Sequence, residues 1–188
     1  MKLLCIGDSL TDGYGAAPCD GWTAVLARQS GISVTNEGLC GDTTAGILYR
    51  LQHLDIAAYD AVFVMGGSND ILQDEPLTAI TSHMEDIGRF LDKAGQRVYI
   101  GIPPLTKRES AFFGWQTAAA VPQHNALLQA YREWLRAWGA RQGYGIIDFY
   151  AALQAAEQNG TVSLYSDGVH PNAAGYAVMA REAQRVLV

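Results

Sequence analysis

The chain has 188 residues, 49% hydrophobic and 17% charged, with a formal net charge of −6. That length and balance suit one domain, residues 1–188, whose core closes without disulfides or a metal. An acidic chain with no polybasic run disfavours nucleic acid and anionic membranes as main partners, and no apolar stretch approaches the roughly 20 residues that span a bilayer.

Residues 1–7 carry one positive charge and an apolar run too short for a signal peptide. A cytoplasmic location is therefore expected, the alternative being an exported chain whose leader has been removed. Cys5, Cys19 and Cys40 are an odd number, which argues against a disulfide framework. Free thiols are expected, with a Cys19–Cys40 pair open in an oxidising compartment.

In chain order, residues 3–6, 32–35, 61–65, 98–102 and 146–149 are short apolar or β-branched runs, as in parallel strands covered on both faces. Trp22, Val25 and Leu26 mark a first helix between them, and a second is predicted over 45–54. Leu77, Ile80, Met84, Ile87 and Leu91 share one helical face. So do Leu127, Leu128, Tyr131, Leu135 and Trp138, and then Tyr176, Met179, Ala180, Ala183 and Leu187. The alternation βαβαβαβαβα predicts an α/β fold, a parallel sheet between helical layers with right-handed crossovers. Sites in such sheets form beyond the carboxyl ends of the strands.

Several loops at those ends carry chemistry. Gly7-Asp8-Ser9-Leu10 closes the first strand and offers Ser9 as a nucleophile. A serine hydroxyl needs a base, and the base needs an orienting group. Of four histidines, His53 and His83 fall in helix candidates and read as surface or packing residues. His124 precedes a helix and reads as a cap or a solvated side chain. His170 stands apart in Asp167-Gly168-Val169-His170-Pro171. Pro171 biases His170 toward extended backbone, and Gly168 permits a bend that folds Asp167 onto the ring. Asn172 reads as the cap of the final helix. Two more loops contain Gly41 and Asn69, whose backbone N–H and side-chain amide, with the N–H of Ser9, would hold an anionic tetrahedral oxygen. Asp8, Asp42 and Asp70 read as structural, Asp8 tying loops together.

No metal is expected, because no two histidines have ligand spacing and no H-E-x-x-H occurs. No cofactor is expected either: Gly13-Tyr14-Gly15 is too short for a dinucleotide loop and no Walker-type lysine exists.

Together these segments resemble the four sequence blocks of the SGNH (GDSL-type) hydrolases. Gly7-Asp8-Ser9-Leu10 reads the first, Gly41 the glycine block, Gly67-Ser68-Asn69-Asp70 the third and Asp167-Gly168-Val169-His170-Pro171 the last. The resemblance runs from residue 7 to 171. It implies a flavodoxin-like three-layer αβα sandwich with a five-stranded parallel sheet. It also implies a triad of Ser9, Asp167 and His170, and an oxyanion hole of Ser9, Gly41 and Asn69. Gly41-Asp42-Thr43-Thr44-Ala45-Gly46 is most similar to a small bacterial thioesterase, lysophospholipase and arylesterase subgroup.

The expected substrate is a small-molecule ester or thioester, with an acetylated carbohydrate as the alternative and a catalytically silent binding module as a third reading. Residues 103–122 are a long loop containing Phe112, Phe113 and Trp115, candidates for an acyl, aryl or sugar surface, or for an Ω-like loop packed on itself. Lys107 and Arg108 are expected to face solvent. Sequence sets no oligomeric state.

Overall fold

The computed structural model describes residues 1–160 and 163–188. Strands β1 (Lys2–Gly7), β2 (Ser33–Gly38), β3 (Ala61–Met65), β4 (Val98–Ile102) and β5 (Gly145–Asp148) form one parallel sheet in the order β2-β1-β3-β4-β5. Around it lie α1 (Ser9–Asp12), α2 (Trp22–Ser30), α3 (Thr44–Leu51), α4 (Ser68–Leu72), α5 (Leu77–Lys93), α6 (Ala120–Gln142), α7 (Phe149–Asn159) and α8 (Ala173–Leu187). This is the three-layer sandwich expected from the sequence.

The two-residue period of the strands sorts their side chains into two cores. Leu3, Cys5, Ala61, Phe63, Met65 and Tyr99 pack with α2, α7 and α8 on one face. Leu4, Ile6, Val62, Val64, Ile100 and Ile102 pack with α3, α5 and α6 on the other. Trp22 is central to the first core: its ring meets Phe63 and Phe149 at centroid distances of 5.0 and 5.1 Å. Burying a ring of that size contributes about 5 kcal/mol. Its Nε1–H donates to the Leu10 carbonyl at 3.0 Å, fastening α1 to the core.

From β1 the chain passes to β2 on one side and then to β3 on the other, so the order reverses beside β1. A crevice at the carboxyl ends of β1 and β3 follows from that switch. Gly7, the last residue of β1, sits where a Cβ would collide with the Met65 carbonyl and Thr11 Oγ1, so only glycine lets α1 turn this tightly off the sheet.

Some boundaries differ from the sequence reading. β2 runs to Gly38, and the second long helix is Thr44–Leu51, leaving His53 beyond its end. β5 stops at Asp148, whose side chain accepts from Ala151 N–H at 2.9 Å and caps a helix the apolar pattern did not reveal. Phe149, expected in the strand, is the first residue of that helix. Its apolar positions crowd its first turns and merge with the strand's run. The loop expected over 103–122 ends sooner, at Ala119, because Pro122 fits the first turn of α6, where its missing N–H costs nothing. His124 is consequently inside α6 and buried rather than solvated. Its Nδ1 faces Gln116 Oε1 at 2.6 Å and its Nε2 faces Asp74 Oδ1 at 3.1 Å. Lys107 is not free in solvent either: its Nζ meets Glu157 Oε2 at 2.6 Å and lies over the Tyr165 ring. Cys5, Cys19 and Cys40 are free thiols. No helix among the described residues is long and apolar enough to cross a membrane.

Candidate active site

Ser9, Gly41, Asn69 and His170, with Asp167 behind His170, meet at the crevice. Ser9 is the first residue of α1, directly off β1, and is buried. Asp8 Oδ1 caps α1 by accepting from Leu10 N–H at 2.9 Å, so Asp8 holds its own helix rather than tying separate loops. The leading N–H groups of a helix have no partner within it, and this cap leaves that of Ser9 at the open end.

His170 arrives from the opposite end of the chain. Residues 164–172 form a narrow hairpin, with a Tyr165–Pro171 bridge and Ser166 N–H donating to His170 O at 2.9 Å. Gly168 turns the hairpin with φ +83°, a conformation that other residues adopt only under strain. Asp167 and His170 are thereby brought face to face. His170 Nδ1 lies 2.8 Å from Asp167 Oδ2, and His170 Nε2 lies 2.9 Å from Ser9 Oγ. All three side chains are buried. Asn172 caps α8 through its Oδ1 and Gly175 N–H, as its sequence context suggests.

Burial alone would push the Asp167 carboxyl up. The N–H bonds it accepts from His170 and Val169, with the imidazole beside it, outweigh that and hold it below the usual carboxylate range. It is held as an anion beside His170 Nδ1.

Gly41 and Asn69 line the same cavity as Ser9 and His170, a small one of about 70 Å³. Asn69 lies on α4, a one-turn helix where the sequence suggested only a loop. One of its amide hydrogens donates to the Asp42 carbonyl at 2.8 Å, which orients the amide and leaves its second hydrogen for a ligand. The glycine loop is braced from behind. Asp42 Oδ2 takes Arg50 Nη2 at 2.7 Å, and that guanidinium also donates to the carbonyls of Glu37 and Gly7. Asp70 accepts from the N–H and hydroxyl of Thr44 at the start of α3. The structural readings of Asp42 and Asp70 thus acquire partners.

Sequence reasoning did not assign the remaining wall: Tyr14, Leu72 and Val169. Tyr14 had a visible signal in its position between two glycines just after Ser9. Its ring lies 4.5 Å from the His170 ring. Leu72 had none. Cys40 is also in the wall, with Sγ donating toward Asp12 Oδ2 at 3.5 Å. Partial burial and the Asp12 carboxylate push its thiol up, which keeps it protonated.

The three loop aromatics separate. Trp115 lines the cavity and donates its Nε1–H to Asp167 Oδ2 at 2.9 Å. Phe112 is 86% exposed and does not line it. Phe113 borders a different hollow, beside Lys107, Glu157, Tyr165 and Gly168.

Comparison with known proteins bears on this site. The model of the GDSL-like lipase/acylhydrolase family matches residues 5–178. The chain belongs to that family. An arylesterase of Vibrio mimicus is 35% identical over 122 residues, spanning 60% of this chain and 61% of that protein. A member of the lipolytic G-D-S-L family from Veillonella parvula is 29% identical and superposes with a TM-score of 0.81 over 99% of this chain and 97% of its own. A lipase/acylhydrolase from Enterococcus faecalis, 23% identical, shares the fold with a TM-score of 0.71 over 98% of this chain and 93% of its own. Ser9, Gly41, Asn69, Asp167 and His170 all lie within the span that matches the GDSL-like family.

Proposed function

We propose that this GDSL-family chain is a serine ester hydrolase that cleaves small-molecule carboxylic esters or thioesters through an acyl-enzyme on Ser9. The observation that carries the reading is the unbroken line Ser9 Oγ, His170 Nε2, His170 Nδ1, Asp167 Oδ2, with steps of 2.9 and 2.8 Å between side chains.

In this reading His170 takes the Ser9 proton as Oγ attacks the carbonyl carbon. The resulting oxyanion is held by the N–H groups of Ser9 and Gly41 and by the free amide hydrogen of Asn69. Collapse expels the alcohol or thiol, which leaves with the proton from His170. Water then gives a proton to His170 and attacks the acyl carbon, and Ser9 Oγ departs with that proton. Asp167 remains an anion throughout and stabilises the imidazolium.

A cavity of about 70 Å³ walled by Leu72, Cys40, Tyr14 and Trp115 favours a short acyl chain. A second reading, removal of acetyl groups from carbohydrate, is favoured by Phe113 beside the polar hollow of about 300 Å³ with Lys107, Glu109 and Glu157.

One experiment tests the function: p-nitrophenyl esters from acetate to palmitate, with acetylated sugars alongside, offered to the wild-type protein and to Ser9→Ala. Turnover should fall as the acyl chain lengthens, and Ser9→Ala should lose at least about 10⁴-fold in kcat with its melting curve unchanged. Full activity in Ser9→Ala would remove the proposal. Turnover of acetylated sugars alone would select the second reading.

A further inference from the structure

We infer that Trp115 is a positioning residue for Asp167: its indole N–H fixes the carboxylate that orients His170, so that the loop between β4 and α6 completes the triad. This rests on the serine-hydrolase reading above.

The carboxylate of Asp167 accepts four hydrogen bonds, two on each oxygen. Oδ1 takes the backbone N–H groups of Val169 and His170 at 3.0 and 2.8 Å. Oδ2 takes His170 Nδ1 at 2.8 Å and Trp115 Nε1 at 2.9 Å. Three of these come from the hairpin itself. Among the described residues Trp115 is the one distant donor, 52 residues away, and it meets the very oxygen that faces the imidazole. Its ring also stands edge-on to His170, with centroids 5.0 Å apart, and edge-on to Tyr14 at 6.0 Å. At 39% exposed, the ring is not placed here by burial alone.

The loop that carries Trp115 is a braced strut. Lys107 N–H donates to Gly168 O at 2.7 Å, joining the loop to the turn of the triad hairpin. Gln116 Nε2 donates to Thr106 Oγ1 and Ser110 Oγ at 2.8 Å each, while its Oε1 faces His124 of α6. Trp115 N–H closes the turn onto Ser110 O at 3.1 Å. The indole is therefore delivered to Asp167 by a fixed backbone.

The N–H bond has two consequences. It sets the plane of the carboxylate, and it draws charge from Oδ2. Without it, more negative charge faces the ring, and the imidazolium form is favoured to higher pH.

The test is Trp115→Phe, which keeps an aromatic wall and removes only the donor. With p-nitrophenyl acetate, plateau kcat should fall about tenfold and KM change less than twofold. The acid limb of kcat/KM should move to higher pH. Phosphonylation of Ser9 by a small fluorophosphonate should slow in parallel. In an Asp167→Ala background the same substitution should have little further effect, since its target is gone. A changed KM with unchanged kcat and acid limb would overturn the inference, leaving Trp115 as a substrate wall. So would equal losses with and without Asp167. Wild-type protein that neither reacts with the fluorophosphonate nor depends on Ser9 would instead bring down the serine-hydrolase reading.

Discussion

The two halves of the site are built on different foundations. Ser9, Gly41 and Asn69 stand at the ends of β1, β2 and β3, so the sheet's own hydrogen bonds and two apolar cores set their positions. Asp167 and His170 stand on a hairpin with one isolated bridge, held from outside by Lys107 and Trp115 of a separate loop. The Ser9 half draws mainly on long-range packing, whereas the His170 half, beyond the burial of Leu164 in one core, draws on a few side-chain and backbone ties. A sheet-rooted group should thus tolerate local cost, and a tied group should be sensitive to small displacements.

The largest expected effect lies in the rooted half. Asp8 is fully buried, and its Oδ2 has no hydrogen-bond partner among the described residues. Burial pushes its carboxyl up to about 7, with Asp70 and Asp42 adding to the rise. Between about pH 4 and 7 the folded protein therefore holds a proton that the unfolded chain has released, and stability falls as pH rises through that window. The full cost above pH 7 is about 4 kcal/mol. Asp8→Asn removes this titration, and any misfit of the amide is independent of pH. Its stability relative to wild type, from urea melts at pH 4 and pH 8, should therefore improve by about 4 kcal/mol across that range. A constant difference at both pH values would mean that Asp8 is not a destabilised buried acid.

Next is Asn69→Ala, which removes a proposed oxyanion donor from the same half while leaving α4 anchored by Asp70. The expected loss is about 10²–10³-fold in kcat, roughly 3 kcal/mol, with the melting temperature little changed. A loss seen only in KM would remove Asn69 from the oxyanion hole.

The contrast also governs what the sequence revealed. All five strands and the loops at their ends were legible because parallel strands are short apolar runs, and Gly7, Gly41 and Gly67 mark the turns. The His170 hairpin was legible because Gly168 and Pro171 constrain backbone locally. Helix α4 was not, since one turn carries no periodicity. α7 was missed because Phe149, Tyr150 and Leu153 continue the apolar run of β5. The bond from Trp115 to Asp167 had no local signal: residues 52 apart meet only after the β4–α6 loop docks on the hairpin. The aromatic cluster was visible, but which ring would line the site depended on that docking, and Phe112 and Phe113 do not.

The smallest expected effect probes the docking itself. At Gly168 a Cβ would collide with the backbone N of Ser110, and φ +83° is strained for any other residue. Gly168→Ala should therefore cost about 2 kcal/mol, mostly from the left-handed backbone and from pushing the loop away. For a chain of this size that lowers the melting temperature by about 4–8 °C, readable by calorimetry. The protein would remain folded at 20 °C, so activity there reports geometry. If the hairpin depends on its ties, kcat at 20 °C should fall severalfold, because the displaced loop withdraws Trp115 from Asp167 and lets the imidazole drift from Ser9. A lowered melting temperature with full activity at 20 °C would mean that the hairpin holds the triad unaided, and the distinction between the two halves would fail.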